Sequence, residues 1–376
     1  VVAQIITSHK SNLPVWLEVL SGNSSDKESF AKTVKAYCQH LKDKKQPYFV
    51  MDSAGYSETN LKTLQNMLWL MRVPETLAEA KHLVRETDRA QMTELEPGYW
   101  GKEVKSEYGG VDQRWLVVFS QAAYERELKT LDKKRAREQE AAEKLWRKVS
   151  QPVFNCQEDA EAACKQFNQR WKYHRASMEV RPITKHAHPG RPSVGTEPEV
   201  VGYALSGSVQ EFSPGIEEAK LSLGKFILAT NEMDNQNLPA AAMLENYTDQ
   251  GISVERGFRF LKDPLFFADS LFLKNPARIM ALIMIMGLAL LIFALGEREL
   301  RLALKKNNQT VPNQKHKPTE TPTLRWVFQM FEGLDVLSVV ADGRLVARKI
   351  LNMRPVHIQV VRLLGPQVQK CYLLGP

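Results

Sequence analysis

Ile279 to Leu295 is a run of 17 residues without a charge, interrupted only by Gly287. An apolar run of that length is not an ordinary amphipathic surface helix, because no polar face is left to meet water. At 1.5 Å per residue it extends roughly 25 Å, just short of a bilayer core. Two environments remain, a membrane span or the central buried helix of a large core. Arg278 precedes the run, and Glu297, Arg298, Glu299 and Arg301 follow it. It is rich in Met, marginal in length and without a partner span. The expectation is therefore a helix buried in a core, with membrane insertion as the rival.

With 376 residues the chain is long enough for two or three domains. Its net charge of +8 and pI near 9.1 favour a polyanionic partner, either nucleic acid or an anionic membrane surface. Cys38, Cys156, Cys164 and Cys371 show no Cys-x-x-Cys and no Cys/His ligand spacing, which points to reduced thiols and away from a zinc site or disulfide framework. The chain starts in the strand-like Val-Val-Ala-Gln-Ile-Ile-Thr7 with no Met and no signal peptide. That start suggests a fragment whose N-terminal part is missing.

Local patterns set out the order of elements. Val1–Thr7 and Pro14–Leu20 are apolar and β-branched around a turn-rich spacer, as in a hairpin. Phe30, Val34, Tyr37 and Leu41 recur at helical spacing, predicting a helix over 26–42. Tyr48–Met51 reads as a short buried strand ending at Asp52, Ser57 caps a helix to about Asn66, and Leu68–Val73 is another strand. This alternation predicts an α/β sheet with some parallel strands. Further on, Trp115–Phe119 is a strand and Ser120 opens a long charged helix to about Val149. A second helix follows over 157–173, and Arg181–Pro198 reads as loop. Lys220–Thr230 reads as strand, Pro239–Tyr247 as helix, Lys305–Pro322 as a polar linker, and the last 50 residues as mixed strands and helices.

One short helix carries charge in a pattern that suggests chemistry. Val254, Phe258 and Leu261 form an apolar stripe, while Glu255, Arg259 and Lys262 form a second stripe at the same spacing, and Pro264 ends the helix. Asp52, at the carboxyl end of a buried strand, stands where α/β sheets place their sites. A strand-borne Asp and a helix-borne Glu suit divalent metals that clamp a phosphate, because hard cations take carboxylate oxygens. The plain alternatives are a turn or cap carboxylate for Asp52 and a surface ion pair for Glu255 and Arg259. No phosphate loop, dinucleotide fingerprint, nucleophile motif or zinc signature competes.

Four blocks in order carry a family resemblance. Leu20-Ser-Gly-Asn-Ser-Ser-Asp26, Val50-Met-Asp-Ser-Ala-Gly-Tyr56, Leu70-Met-Arg-Val-Pro-Glu-Thr76 and Val254-Glu-Arg-Gly-Phe-Arg-Phe-Leu-Lys-Asp-Pro264 together resemble bacterial insertion-sequence transposases. They are similar to the DDE branch whose last carboxylate lies in a Tyr-Arg-Glu-Lys motif, and the resemblance runs from Val1 to about Leu337. It implies an α/β, ribonuclease H-like mixed sheet with a large insertion between the second and third catalytic carboxylates. The implied domains are residues 1–74 (first part of the core, its first strand missing), 75–225 (insertion), 226–304 (second part of the core with the Glu-bearing and apolar helices) and 305–376 (linker and tail).

By this mapping Asp52 resembles the second Asp, Glu255 the Glu, and Lys262 the motif Lys, with six residues intervening after Glu255. The motif's Arg position falls on Gly251, and Tyr247 stands one residue too far upstream, so Arg256 or Arg259 would substitute as phosphate contacts. The first Asp belongs on a strand that would precede Val1, and Asp26 and Asp43 do not match it. With two of three carboxylates, the chain as it stands is expected to bind the metal pair poorly and to be inactive.

The resemblance also implies Mg²⁺ or Mn²⁺ as cofactor, with no small-molecule cofactor. Its implied partners are terminal inverted repeats and target DNA, engaged as a homodimer in a bacterial cytoplasm at the nucleoid, with no membrane. Arg191 in Gly190-Arg-Pro192 resembles a minor-groove hook, with a plain turn-forming loop as the favoured alternative, and Trp115 could stack on an unpaired base, although a Trp opening an apolar strand is more often core. The Lys133-Lys-Arg135 cluster and Arg137 could track DNA backbone, although acidic residues interleave with them. Two other functions stay open, a non-catalytic DNA-binding protein derived from a transposase and a single-span membrane protein through 279–295.

Overall fold

The computed structural model describes residues 2–9, 11–21, 26–41, 47–186, 198–249 and 275–373. The chain forms two compact units, one of Val1–Met51 with Glu245–Pro376 and the other of Asp52–Leu244.

In the first unit, β1 (Val2–Thr7) and β2 (Pro14–Leu20) pair antiparallel with Val2 opposite Leu20, the expected hairpin. Helix α1 (Asp26–His40) follows, with Ala31, Thr33 and Val34 buried, and then β3 (Phe49–Met51). The Thr33 hydroxyl lies between Gln4 Oε1 and Glu18 Oε2, at 2.5 and 2.6 Å, so the polar residues of the hairpin are bonded where they meet the helix. Trp16 packs edge-on against Tyr37, and Tyr37 against Phe49.

The second unit opens with a 3-10 turn, Ser53–Gly55, and α2 (Glu58–Thr63), capped as expected by Ser57, whose hydroxyl accepts from the Asn60 amide. After α2 come β4 (Trp69–Arg72), α3 (Ala78–Glu86), β5 (Thr93–Glu96), β6 (Tyr99–Tyr108) and β7 (Val111–Ser120). Ser120 then caps α4 (Gln121–Val149), the long helix predicted to start there. Next are β8 (Val153–Phe154), α5 (Gln157–Gln169), β9 (His174–Ala176), β10 (Glu179–Lys185), β11 (Glu199–Ser206), β12 (Val209–Glu211), α6 (Ser213–Lys220) and β13 (Lys225–Thr230). Residues 240–249 form α7.

The sheet of this unit runs β4-β13-β7-β6-β5, every one of these pairings antiparallel. Strand β13 thus sits between β4 and β7, so the chain leaves the sheet at Ser120 and returns to its middle at Lys225. The excursion has its own core, in which α4 and α5 bring Ala142, Trp146, Cys164 and Phe167 together with Leu205 of β11.

Two boundaries differ from the sequence reading. Residues 181–185 are strand, because β10 pairs with β11 in an order β10-β11-β8 that leaves β10 at an edge. An edge strand tolerates Pro182, whose missing N–H would break a central ladder. Lys220 ends a helix and does not open a strand, since Pro214 in the first turn of α6 starts a helical segment and β13 begins only at Lys225.

The first unit resumes with α8 (Pro276–Lys306), β14 (Val311–Pro312), β15 (Pro318–Thr319), α9 (Leu324–Met330), β16 (Asp335–Ala341), β17 (Arg344–Leu351), α10 (Pro355–Leu363) and α11 (Pro366–Cys371). The stretch read as a linker is in fact the last turn of α8 followed by the β14–β15 hairpin. Trp326 donates its indole N–H to Pro312 O at 2.7 Å, and Val311 packs with Leu300, Leu304 and Val360.

Helix α8 also departs from expectation. One stripe, Ile283, Met286, Leu290, Leu300 and Leu304, is buried, and Gly287 lets the helix approach Leu17, whose side chain would lie 2.2 Å from a Cβ there. The opposite stripe is exposed, and only 17% of the most apolar stretch is buried, so α8 is not the enclosed helix of a large core. It is long and apolar enough to cross a membrane by length and composition, the one such helix among the described residues. A run that is apolar on every face gives no signal as to which stripe packs.

Candidate active site

Asp52 follows β3 directly and caps the 3-10 turn, its Oδ1 accepting from the Ala54 N–H at 3.0 Å. The plain reading of this residue, a cap carboxylate, is therefore realised. It does not remove the carboxylate from use, because Asp52 is exposed and the cap engages one of its oxygens. Among the described residues the Ala54 amide is the one hydrogen-bond partner of that side chain. An exposed carboxylate oxygen on a short turn is a hard donor suited to Mg²⁺ or Mn²⁺.

The turn is held from beneath by buried polar groups. Tyr56 is 4% exposed and its hydroxyl donates to Gln113 Oε1 at 2.6 Å. The same oxygen accepts the Trp115 indole N–H at 3.0 Å, while Gln113 Nε2 donates to Tyr108 O at 3.1 Å. An indole is a donor only and a carbonyl an acceptor only, so this arrangement fixes which way the Gln113 amide points. Burial pushes the Tyr56 phenol up, which keeps its proton in place for that bond. Tyr108 stacks on Tyr56 at 5.5 Å, and Asn60, itself buried, donates to Gly55 O at 3.1 Å. Gln113 is the residue sequence reasoning missed. The signal was its alternation with Val111 and Trp115, which puts Gln113 on the same face of the strand as those apolar residues, between the charged Asp112 and Arg114.

Trp115 is corrected. Its relative exposure is 0%, on an interior strand of the sheet, with its indole N–H bonded to Gln113. It has no free face for a base and serves as core. Arg135 is also less available than its cluster suggested, because its guanidinium is paired with Asp132 at 2.9 Å and with Glu211, and these partners raise its pKa. Lys133, Lys134 and Arg137 stay exposed on α4. Near the Asp52 turn, Glu58 pairs with Lys62 at 2.6 Å, and that bond lowers the Glu58 pKa.

Glu255, Arg256, Arg259 and Lys262, with Gly251, lie outside the described residues, as do Arg191 and the rest of residues 187–197. Among the described residues no group of three or more His, Cys, Asp or Glu converges as a metal site. Asp52 is the one expected ligand among the described residues, and its donor chemistry fits the metal.

Residues 1–292 match the family model described as transposase DDE domain. The chain belongs to that family. Searches of curated proteins and of solved structures gave no match. The matched span includes all four sequence blocks, and the chain is thus a DDE transposase by family, a class that acts on DNA.

Proposed function

We propose that this transposase is of the kind that cuts and joins DNA at the ends of an insertion sequence in a metal-dependent reaction, with Asp52 and Glu255 as two of the three carboxylate ligands that the reaction needs. The observation that carries this reading is the match over 1–292 together with an exposed Asp52 carboxylate on a turn anchored by Tyr56, Gln113 and Asn60. Bound Mg²⁺ or Mn²⁺ would supply an activated water and a clamp on the phosphodiester. The chain's own residues do the rest. Asp52 holds a fixed direction because its turn is anchored, and Lys262, Arg259 and Arg256 offer phosphate contacts, the Lys as a point charge and the Arg residues as forks. Such contacts position DNA without reading its sequence. Arg191 supplies a minor-groove contact near the terminal repeats. The ribonuclease H-like core, a homodimer on DNA and a nucleoid location in a bacterial cytoplasm belong to the same reading.

Asn caps a turn about as well as Asp but does not replace an anionic ligand. Asp52→Asn should therefore melt like the parent chain yet bind Mn²⁺ at least about tenfold more weakly, measured by paramagnetic resonance of the free ion. Glu255→Gln should do the same. In a strand-cleavage assay on DNA bearing the element's ends, the chain should cut only when a third carboxylate completes the site, and neither variant should then cut. Unchanged Mn²⁺ affinity in both variants would exclude these carboxylates as ligands, whatever the cleavage assay shows.

A further inference from the structure

The exposed stripe of α8 is a regular seam. Ile285, Leu288, Ile292, Leu295, Glu299 and Leu302 follow one another at spacings of three and four, the heptad pattern with Ile or Glu at a and Leu at d. The five apolar members are between 43% and 64% exposed, and among the described residues nothing covers them. The other side of the helix is already used, since Met286 and Leu290 pack with Ile5 of the hairpin and Leu300 and Leu304 with the C-terminal helices.

We propose that this seam pairs with the same seam of a second copy of the chain, forming a parallel two-stranded coiled coil. Ile at a with Leu at d is the combination that favours two parallel strands. The area agrees. With Met280 and Met284 beside it, the stripe presents roughly 700–800 Å² of exposed apolar side chain, close to the ~800 Å² per partner of a stable interface. The seam is about 25 Å long, between three and five helical turns. Lipid fits less well. A span needs about 20 apolar residues, whereas here the uncharged run ends at Gly296, with Glu297, Arg298, Glu299 and Arg301 following, and one stripe of the helix is packed within its own unit. Glu299 at an a position meets its own copy, so like charge limits the seam at its C-terminal end.

This deepens the dimeric part of the proposed function by naming a contact that forms without DNA or metal. The full chain, free of both, is examined by sedimentation equilibrium at micromolar concentration. It should be a dimer. Ile285→Lys with Ile292→Lys should weaken association about a hundredfold or more while leaving the far-ultraviolet circular dichroism unchanged, because both side chains are exposed in the monomer. Glu299→Leu should tighten it about tenfold. Leu288→Cys should cross-link to its own copy under mild oxidation, as mass spectrometry of the joined peptide would show.

A wild-type chain that sediments as anything other than a dimer overturns the proposal, as does a dimer that survives both Lys substitutions. Flotation with phosphatidylcholine vesicles, lost in the double variant, would assign the stripe to lipid instead. A chain that is monomeric alone but dimeric on DNA would sink this contact and leave the dimeric transposase complex standing.

Discussion

Gln113 offers the sharpest test of how the Asp52 turn is held. Replacing it by Leu keeps the side-chain volume and removes every polar atom. In a side chain with 0% exposure this leaves the buried Tyr56 hydroxyl and Trp115 indole N–H without their partner, and the half-buried Tyr108 carbonyl short of one donor. Each buried polar group left unpaired costs about 1–3 kcal/mol, and relaxation lets one of the three find a substitute, so the expected loss is about 4 kcal/mol. A domain of this size shifts its Tm by roughly 2–4 °C per kcal/mol, which puts the drop at about 10 °C.

Tyr56→Phe alone deletes one donor and leaves Gln113 bonded to Trp115, at a cost of about 1 kcal/mol. In the Gln113→Leu background the same change removes an orphaned hydroxyl, so it should be neutral or stabilising. The cycle should therefore show a coupling of about 1–3 kcal/mol. Urea titration followed by tryptophan fluorescence reads all four chains. Gln113→Leu costing under about 1 kcal/mol, or additivity within about 0.3 kcal/mol, would refute the network as the support of the turn.

Two further outcomes follow from single residues. Gly207 has φ +146° and a Cβ there would lie 1.8 Å from the Ser177 backbone oxygen. Gly207→Ala should cost more than about 3 kcal/mol and expose the Trp146 core to protease, since a backbone atom cannot step aside as a side chain can. His357 is buried, with its Nδ1 accepting the Arg354 N–H at 3.1 Å, and burial, joined by the Arg354 charge, pushes its pKa down. The unfolded chain takes up a proton near pH 6.5 and the folded one does not. This group's contribution is thus full above about pH 6.5 and lost as pH falls from there toward the folded value. Thermal melts between neutral and mildly acidic pH should show that loss, and His357→Gln should flatten it.

Much of the architecture was legible because its signals are local. Alternation in Val1–Leu20, helical spacing in Phe30–Leu41, and the caps at Ser57 and Ser120 each act within a few residues, and β1, β2, α1, α2 and α4 appear where these signals put them. The motif blocks led to the family on the same basis, as short runs in order. Helix α2 ends at Thr63, three residues before the expected Asn66, because propensity does not say where packing stops rewarding another turn.

What the chain alone determined, then, is its inventory: short strands and capped helices, a basic charge balance, and a DDE transposase pattern that singles out Asp52 and Glu255. Tertiary structure decided the arrangement. It placed β13 between β4 and β7 across more than a hundred intervening residues, buried Trp115, and made Gln113 the hub beneath the Asp52 turn. It also covered one stripe of α8 and left the other bare. The reason is common to all four. Periodicity records which faces of a segment are apolar, whereas pairing and burial depend on which distant segment arrives, and a uniformly apolar helix or strand carries no mark of that choice.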